Sequence, residues 1–254
     1  MRCLAMLPIH LSLTVVVLLQ SLERAAATSV PYLNPGFEFS YIIPNQTVPL
    51  PVTSQCERIY LSWSRTNNET GPAPVAPYFM QVYSSTSSVP YVIGAGFGPS
   101  KAWDVPFSPN TQFQICMFDS NGASGGCQTT YSVVPDANST SPSCQMPPAP
   151  AALSVSATVP NGAMFQNSQI NQCETLSVTP QSGSPPYTLT VAPVAHPPFN
   201  ITSKTMDTIS WQVALPVGFK FFLSLSSADG QMWANGPMSV GGLGGNDCFA
   251  PGTM

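Results

Sequence analysis

Hydrophobic residues along this chain fall in short alternating segments that turn residues separate. Apolar side chains occupy every second position at Phe37, Phe39 and Tyr41, and the same pattern continues later in the chain. A period of two is typical of a half-buried β-strand. Turn signals recur about every 8 to 12 residues, and no window shows a sustained helical period. The pattern therefore predicts an all-β protein built from many short strands.

The strand pattern occurs twice. Trp103 is followed after 19 residues by Gly122, and Trp211 is followed at the same distance by Gly230. In both windows a phenylalanine stands ten residues after the tryptophan, inside the next predicted strand. Each copy offers about seven short strands in roughly 100 residues, which is the pattern of an immunoglobulin-like sandwich. The repeat therefore predicts two sandwiches in tandem.

Turn residues support the same duplication. Asn110 and Gly218 stand seven residues after their tryptophans, and both residue types accept a left-handed backbone conformation. Asn-Gly at 121–122 and Asp-Gly at 229–230 are the dipeptides preferred at hairpin tips. The strands predicted around these turns are 102–107, 112–118, 208–214 and 219–225.

Domain boundaries follow from the repeat and from a proline-rich segment between the copies. Residues 28–145 are predicted to form the first immunoglobulin-like domain, and residues 151–254 the second. Met-Pro-Pro-Ala-Pro at 146–150 is predicted to be a stiff, extended linker. The fold class is therefore all-β, with two tandem immunoglobulin-like β-sandwich domains after an N-terminal leader.

The leader is predicted to be a secretory signal peptide spanning residues 1–27. It contains Arg2, an apolar run at 11–19 and three alanines at 25–27 that suit a cleavage site. An uncleaved N-terminal membrane anchor is the alternative, although the run is short of the roughly 20 residues that span a bilayer. No later segment of the sequence predicts a membrane span. We therefore expect a secreted, extracellular or cell-wall protein.

Six cysteines remain after the leader, which indicates three disulfides in an oxidising compartment. Fifteen pairings are possible, but the repeat restricts them. Cys173 and Cys248 are the pair of the second copy, and the residues at the corresponding places in the first copy are Cys56 and Cys144. The remaining two cysteines lie on either side of the 121–122 turn. The predicted bridges are Cys56–Cys144, Cys116–Cys127 and Cys173–Cys248.

Four N-glycosylation sequons agree with a secretory route. They place candidate glycans at Asn45, Asn68, Asn138 and Asn200. Asn68 falls within an insertion of about eight residues in the first copy, and such insertions belong in surface loops. The sequence thus predicts a disulfide-bonded glycoprotein.

Charge is scarce in this chain. Charged residues make up 7% of the sequence, against 28 prolines and 18 glycines, and the net charge is −4. Nucleic-acid binding requires clustered lysine and arginine, which this sequence lacks. Nucleic acid is therefore excluded as a partner.

No pattern of catalytic residues stands out. His196 is the sole histidine after the leader, and the sequence contains no C-x-x-C pair. We therefore predict no catalytic residues, no metal site, no cofactor and no enzymatic activity. A glycoside hydrolase remains the remote alternative, because two carboxylates could meet in the fold.

The tryptophans divide into two groups. Trp103 and Trp211 occupy the same repeat position, so both are expected to pack in a core. Trp63 and Trp233 have no counterpart in the other copy and are the candidates for ligand contact. Burial under a loop is the alternative for both rings. An exposed ring beside a cleft would favour a carbohydrate-binding module.

The layout resembles that of fungal secreted proteins with tandem Ig-like repeats, and more distantly the Ser/Thr-rich Ig-like domains of fungal cell-wall proteins. The resemblance rests on the repeated Gln-Cys, Pro-Tyr, Trp-x-Val, aromatic strand, Asp/Asn-Gly and final Cys. It implies a structural or adhesive, non-enzymatic protein of the cell surface or wall. The expected partners are cell-wall polysaccharide or another surface protein, and the chain is expected to be a monomer.

Overall fold

A computed structural model describes residues 34–43, 50–66, 73–135 and 144–249. Within these ranges every regular element is a β-strand, and no helix is long and apolar enough to cross a membrane. The predicted leader at 1–27 lies outside the described residues. So do the predicted glycosylation sites Asn45, Asn68 and Asn138.

Nine strands form the first sandwich. They are β1 (Glu38–Ile42), β2 (Val52–Ser54), β3 (Arg58–Ser64), β4 (Tyr78–Ser84), β5 (Tyr91–Gly96), β6 (Ser100–Asp104), β7 (Gln112–Phe118), β8 (Ser124–Cys127) and β9 (Tyr131–Val134). A three-strand sheet has the order β1-β3-β6, and a six-strand sheet has the order β2-β9-β7-β4-β5 with β8 paired to β7.

Nine further strands form the second sandwich. They are β10 (Val155–Val159), β11 (Gly162–Ala163), β12 (Gln169–Asn171), β13 (Thr175–Pro180), β14 (Tyr187–Pro193), β15 (Phe199–Ser203), β16 (Ile209–Gln212), β17 (Lys220–Ser226) and β18 (Met232–Gly241). A four-strand sheet has the order β11-β10-β13-β16, and a five-strand sheet has the order β12-β18-β17-β14-β15. The protein is thus an all-β pair of tandem sandwiches.

Each sandwich has its own hydrophobic core between its two sheets. Phe113 and Ile59 are fully buried in the first core, and Phe221 and Leu176 are fully buried in the second. Alternation explains this arrangement, because β3 exposes Tyr60 while burying the residues on either side of it. The linker predicted at 146–150 carries no strand, and the domain boundaries remain predictions.

The duplicated turns have the backbone conformation that the sequence predicts. Asn110 and Gly218 have φ of 70° and 85°, and the hairpin-tip residues Gly122 and Gly230 have φ of 80° and 84°. Strand 112–118 matches β7, whereas the tryptophan strands are shorter than predicted and end at Asp104 and Gln212. Each copy contains nine strands rather than seven, because pieces of two to four residues pair at the sheet margins.

Three disulfides join the cysteine pairs that the repeat predicts. Cys56–Cys144 and Cys173–Cys248 span 88 and 75 residues, respectively. The third bridge, Cys116–Cys127, links residues directly opposite each other on β7 and β8. Each long bridge ties the last described segment of its sandwich back to the turn before β3 or β13.

Candidate functional site

The two sandwiches pack directly against each other through their larger sheets. The burial of consecutive residues on the central strands shows this contact, since β7 and β17 each bury five residues in a row. A strand that is covered on one face alone would alternate instead. One face of β7 and of β17 therefore packs in its own sandwich, and the other face packs against the neighbouring sandwich.

A third hydrophobic cluster fills this junction. Its buried members come from both sandwiches: Tyr83, Cys116, Cys127, Ala192, Phe222 and Ala234. The rings of Tyr83 and Phe222 stack across the junction with centroids 5.4 Å apart. The Cys116–Cys127 bridge thus lies inside the junction, where the second copy has Ser224 and Ala234 at the corresponding register positions.

Buried polar groups at the junction are hydrogen-bonded between the sandwiches. The Tyr83 hydroxyl lies 3.1 Å from Ser224 Oγ, to which Gln81 Nε2 also donates at 3.3 Å. Gln114 Nε2 donates to the carbonyl of Ala192 at 3.1 Å. Burial raises the pKa of the Tyr83 phenol, so that this hydroxyl stays protonated. These bonds fix the relative position of the sheets.

Two backbone hydrogen bonds give the junction an approximate two-fold symmetry. The N–H of Cys127 donates to the carbonyl of His196 at 2.9 Å, and the N–H of Ala234 donates to the carbonyl of Ser88 at 2.7 Å. Ala234 follows Cys127 by 107 residues, and His196 follows Ser88 by 108 residues, which is the spacing of the repeat. The two copies therefore use corresponding faces, as two subunits of a symmetric dimer do.

The side chains at the junction do not obey this symmetry. Tyr83 corresponds to Ala192, since each follows the valine at the fifth position of its strand, and Phe222 corresponds to Gln114. The two aromatic rings therefore meet on one side of the axis, and the glutamine meets the alanine backbone on the other. The side chains at the junction therefore favour packing of the first sandwich against the second over packing of two identical sandwiches.

A cleft of about 500 Å³ opens beside the junction. Its walls are β1, the end of β3, residues 125–128 at the end of β8, and the loop 195–197 of the second sandwich. A second cleft of about 480 Å³ lies on the other side of His196. The His196 ring packs on Phe219 at 5.2 Å, and its Nδ1 lies 2.8 Å from the carbonyl of Val194. His196 thus helps to form the junction.

The predicted ligand contacts, Trp63 and Trp233, are placed differently from each other. Trp63 lines the larger cleft, but its side chain is 4% exposed and packs on Tyr78 with ring centroids 5.1 Å apart. Trp233 is half-buried against the second core. Neither offers an open ring beside a cleft. Trp211 is buried in its core and Trp103 packs against Phe113, as the repeat predicts.

Carboxylates near the repeat positions have structural partners. Glu57 accepts hydrogen bonds from Ser54 N and Thr53 Oγ1, and Glu174 accepts one from Asn171 N. Among the described residues that line the two clefts, Glu38 is the one carboxylate. The described part of the chain contains no group of three potential metal ligands. The paired carboxylates of a hydrolase are therefore not found in these clefts.

Sequence reasoning missed the junction because it treated the proline-rich segment as a separator. A signal was present in the consecutive apolar residues Val82-Tyr83 and Phe221-Phe222, which break the alternation of a sheet with one wet face. The Cys116–Cys127 bridge, which has no counterpart in the second copy, was a further sign that this face differs from a solvent-exposed one.

Comparison with known proteins found no matching family model and no matching curated protein. Among solved structures, a two-domain fibronectin type-III segment of chicken tenascin is 12% identical, covers 82% of this chain and 90% of that one, and gives a TM-score of 0.25. The chicken CNTN1 FN1–FN3 domains are 12% identical over 84% of this chain and 64% of theirs, with a TM-score of 0.25.

A third similar structure is the BSP domain of a biofilm associated protein. It is 15% identical over 76% of this chain, with a TM-score of 0.24, and the match spans 29% of that chain. The tandem all-β architecture is shown by the sheet topology described above.

Proposed function

We propose that the protein is a secreted, surface- or wall-associated glycoprotein with a structural or adhesive role. The observation that carries this proposal is the junction, where stacked aromatic rings and symmetric backbone hydrogen bonds hold both sandwiches together as one body. Two independently moving domains would not need such a contact. A stiff unit that resists extension suits a protein that spaces or connects surfaces.

The long disulfides suit the same role. Cys56 lies just before β3 and Cys144 at the end of the first sandwich, so a pull on the chain crosses the bridge and bypasses the segment between them, over a sequence separation of 88. Cys173–Cys248 does the same in the second sandwich, over a sequence separation of 75. While the bridges are intact, tension along the chain therefore bypasses β3 to β9 and β13 to β18 and acts on the strands before Cys56 and Cys173.

The structural role is tested by stretching single molecules of the full chain between its ends. Without reductant we expect neither core to release its loop. With reductant we expect two additional length steps of about 300 Å and 260 Å, since an extended residue spans roughly 3.3–3.6 Å. The variant Cys173→Ala/Cys248→Ala should show the shorter step without reductant. Steps of full length in the unreduced wild type would contradict the proposal.

The secreted glycoprotein is tested at Asn200, the predicted glycosylation site within the described residues. Asn200 is exposed on β15, and its Oδ1 accepts a hydrogen bond from Thr190 Oγ1 at 2.8 Å. When the full chain is expressed in a eukaryotic host, we expect it outside the cell or in the wall fraction with a glycan at Asn200, detected by peptide mass spectrometry. Thr202→Ala should abolish that glycan alone. Recovery of the chain in the cytosol without glycan would contradict the proposal.

A further inference from the structure

The outermost strand of the six-strand sheet, β5, is an open edge. It pairs with β4 on one side and ends the strand order, and it is the longest edge strand of the four described sheets, with six residues. Its sequence, Tyr-Val-Ile-Gly-Ala-Gly, contains no charge and no proline. Edge strands usually carry a lysine, a proline or a cover that prevents further pairing. β5 lacks the first two.

The corresponding edge strand of the second sandwich, β15, carries different residues. Tyr91 pairs with Val82, and Phe199 pairs with Val191, so that Val92 of β5 corresponds to Asn200 of β15. Val92 is 51% exposed. The second copy thus has a glycosylation sequon at the position where the first copy has an exposed valine.

The neighbouring row of the sheet shows the same contrast. In the first sandwich Gly94, Phe79 and Phe118 lie side by side across β5, β4 and β7. Phe79 is 36% exposed, and Phe118 is half-buried. The corresponding row of the second sandwich consists of three hydroxyl residues: Thr202, Thr188 and Ser226. One copy is therefore apolar where the other is polar.

We propose that β5 pairs antiparallel with β5 of a second copy of this chain, so that two six-strand sheets join into one. Antiparallel pairing of a strand with itself about a two-fold axis is self-complementary, because each strand supplies both the donors and the acceptors. An uncharged strand brings no like charges together in this arrangement. Val92 and Phe79 of both copies would form an apolar strip along the seam.

The second sandwich explains why the pairing stops at two chains. If β15 were equally open, each chain would offer two such edges and could extend into a fibre. The sequon at Asn200 and the following Lys204 protect β15, so of these two corresponding edges β5 is the available one. The result is a closed dimer, which departs from the monomer predicted from the sequence.

Sedimentation velocity of the full glycosylated chain over about 1 to 100 µM tests this pairing. We expect the wild type to shift from monomer to dimer in this range. Val92→Lys should weaken the dimer at least about a hundredfold, because it opposes two lysines at the seam. Val217→Lys is the matched control, since Val217 is 55% exposed in a turn away from the edge, and it should behave as the wild type.

The repeat itself supplies a second variant. Val92→Asn with Gly94→Thr reproduces on β5 the Asn-Ile-Thr of residues 200–202, and a Cβ at Gly94 meets no atom within 4 Å. Once mass spectrometry shows the added glycan, the variant should remain monomeric while its thermal unfolding stays near that of the wild type. A wild type that is monomeric throughout, or a dimer that survives both changes at Val92, would overturn the proposal. Because the readout is association alone, failure here leaves the proposed structural role standing.

Discussion

Removal of the Cys173–Cys248 bridge is expected to lower the free energy of unfolding by about 4 to 5 kcal/mol. The bridge closes a loop of 75 residues, and such a long loop restricts the unfolded chain strongly. It also holds the final described segment, where Gln172 Nε2 donates to the carbonyl of Gly245 at 2.7 Å and Cys248 N donates to Cys173 Sγ. The double variant Cys173→Ala/Cys248→Ala, followed by urea unfolding, measures the loss.

The short bridge provides the comparison. Cys116–Cys127 spans 11 residues, so the same reasoning gives about 3 kcal/mol or less for its removal. Cys116→Ser with Cys127→Ala installs the residues that the second copy has at these positions, Ser224 and Ala234, and should therefore fit the local backbone. Equal losses for the long and the short bridge would contradict the argument from loop length.

The repeat made the cysteine pairs and the turns predictable from sequence. Positive φ at Asn110 and Gly218 follows from residue types that tolerate it, and the register of Cys116 with Cys127 follows from a hairpin centred on the 121–122 turn. These are local relations in which sequence distance determines spatial distance. Strand ends were less predictable, because Val105 and Phe107 are buried in the core beyond the end of β6.

The candidate site was not predictable in the same way. Trp63 has no counterpart in the other copy, which suggested a surface role, yet its ring packs on Tyr78 within the first core. Difference between copies therefore does not distinguish a binding residue from a core residue. Each larger sheet has two apolar faces, and the junction depends on which of them packs against the other sandwich. The hydrophobic pattern of the sequence does not specify this choice. The apolar edge β5 is distinguished from the polar edge β15 by comparing corresponding positions of the two copies, Val92 and Asn200.

Phe222→Ala is expected to release the sandwiches from each other. The ring is 1% exposed and belongs to the junction cluster rather than to the second core, so truncation leaves a cavity beside Tyr83. Phenylalanine-to-alanine changes in buried sites cost about 3 to 5 kcal/mol. The amides of Cys127 and Ala234 donate across the junction and report its opening directly. Their hydrogen exchange should accelerate at least about a hundredfold, since 1.4 kcal/mol corresponds to a factor of ten.

The adjacent residue on β17 is the matched control. Phe221 is fully buried on the opposite face, in the second core, so Phe221→Ala should destabilise the second sandwich by a similar amount while leaving Cys127 exchange nearly unchanged. Tyr83→Phe keeps the stacked ring and removes only the hydroxyl, and Ser224 Oγ retains Gln81 Nε2 as a partner, so about 1 kcal/mol is expected. If Phe222→Ala and Phe221→Ala accelerated exchange at Cys127 equally, the two faces of β17 would not be independent. The junction would then be a consequence of the second core, and the proposed rigid unit would lose its physical basis.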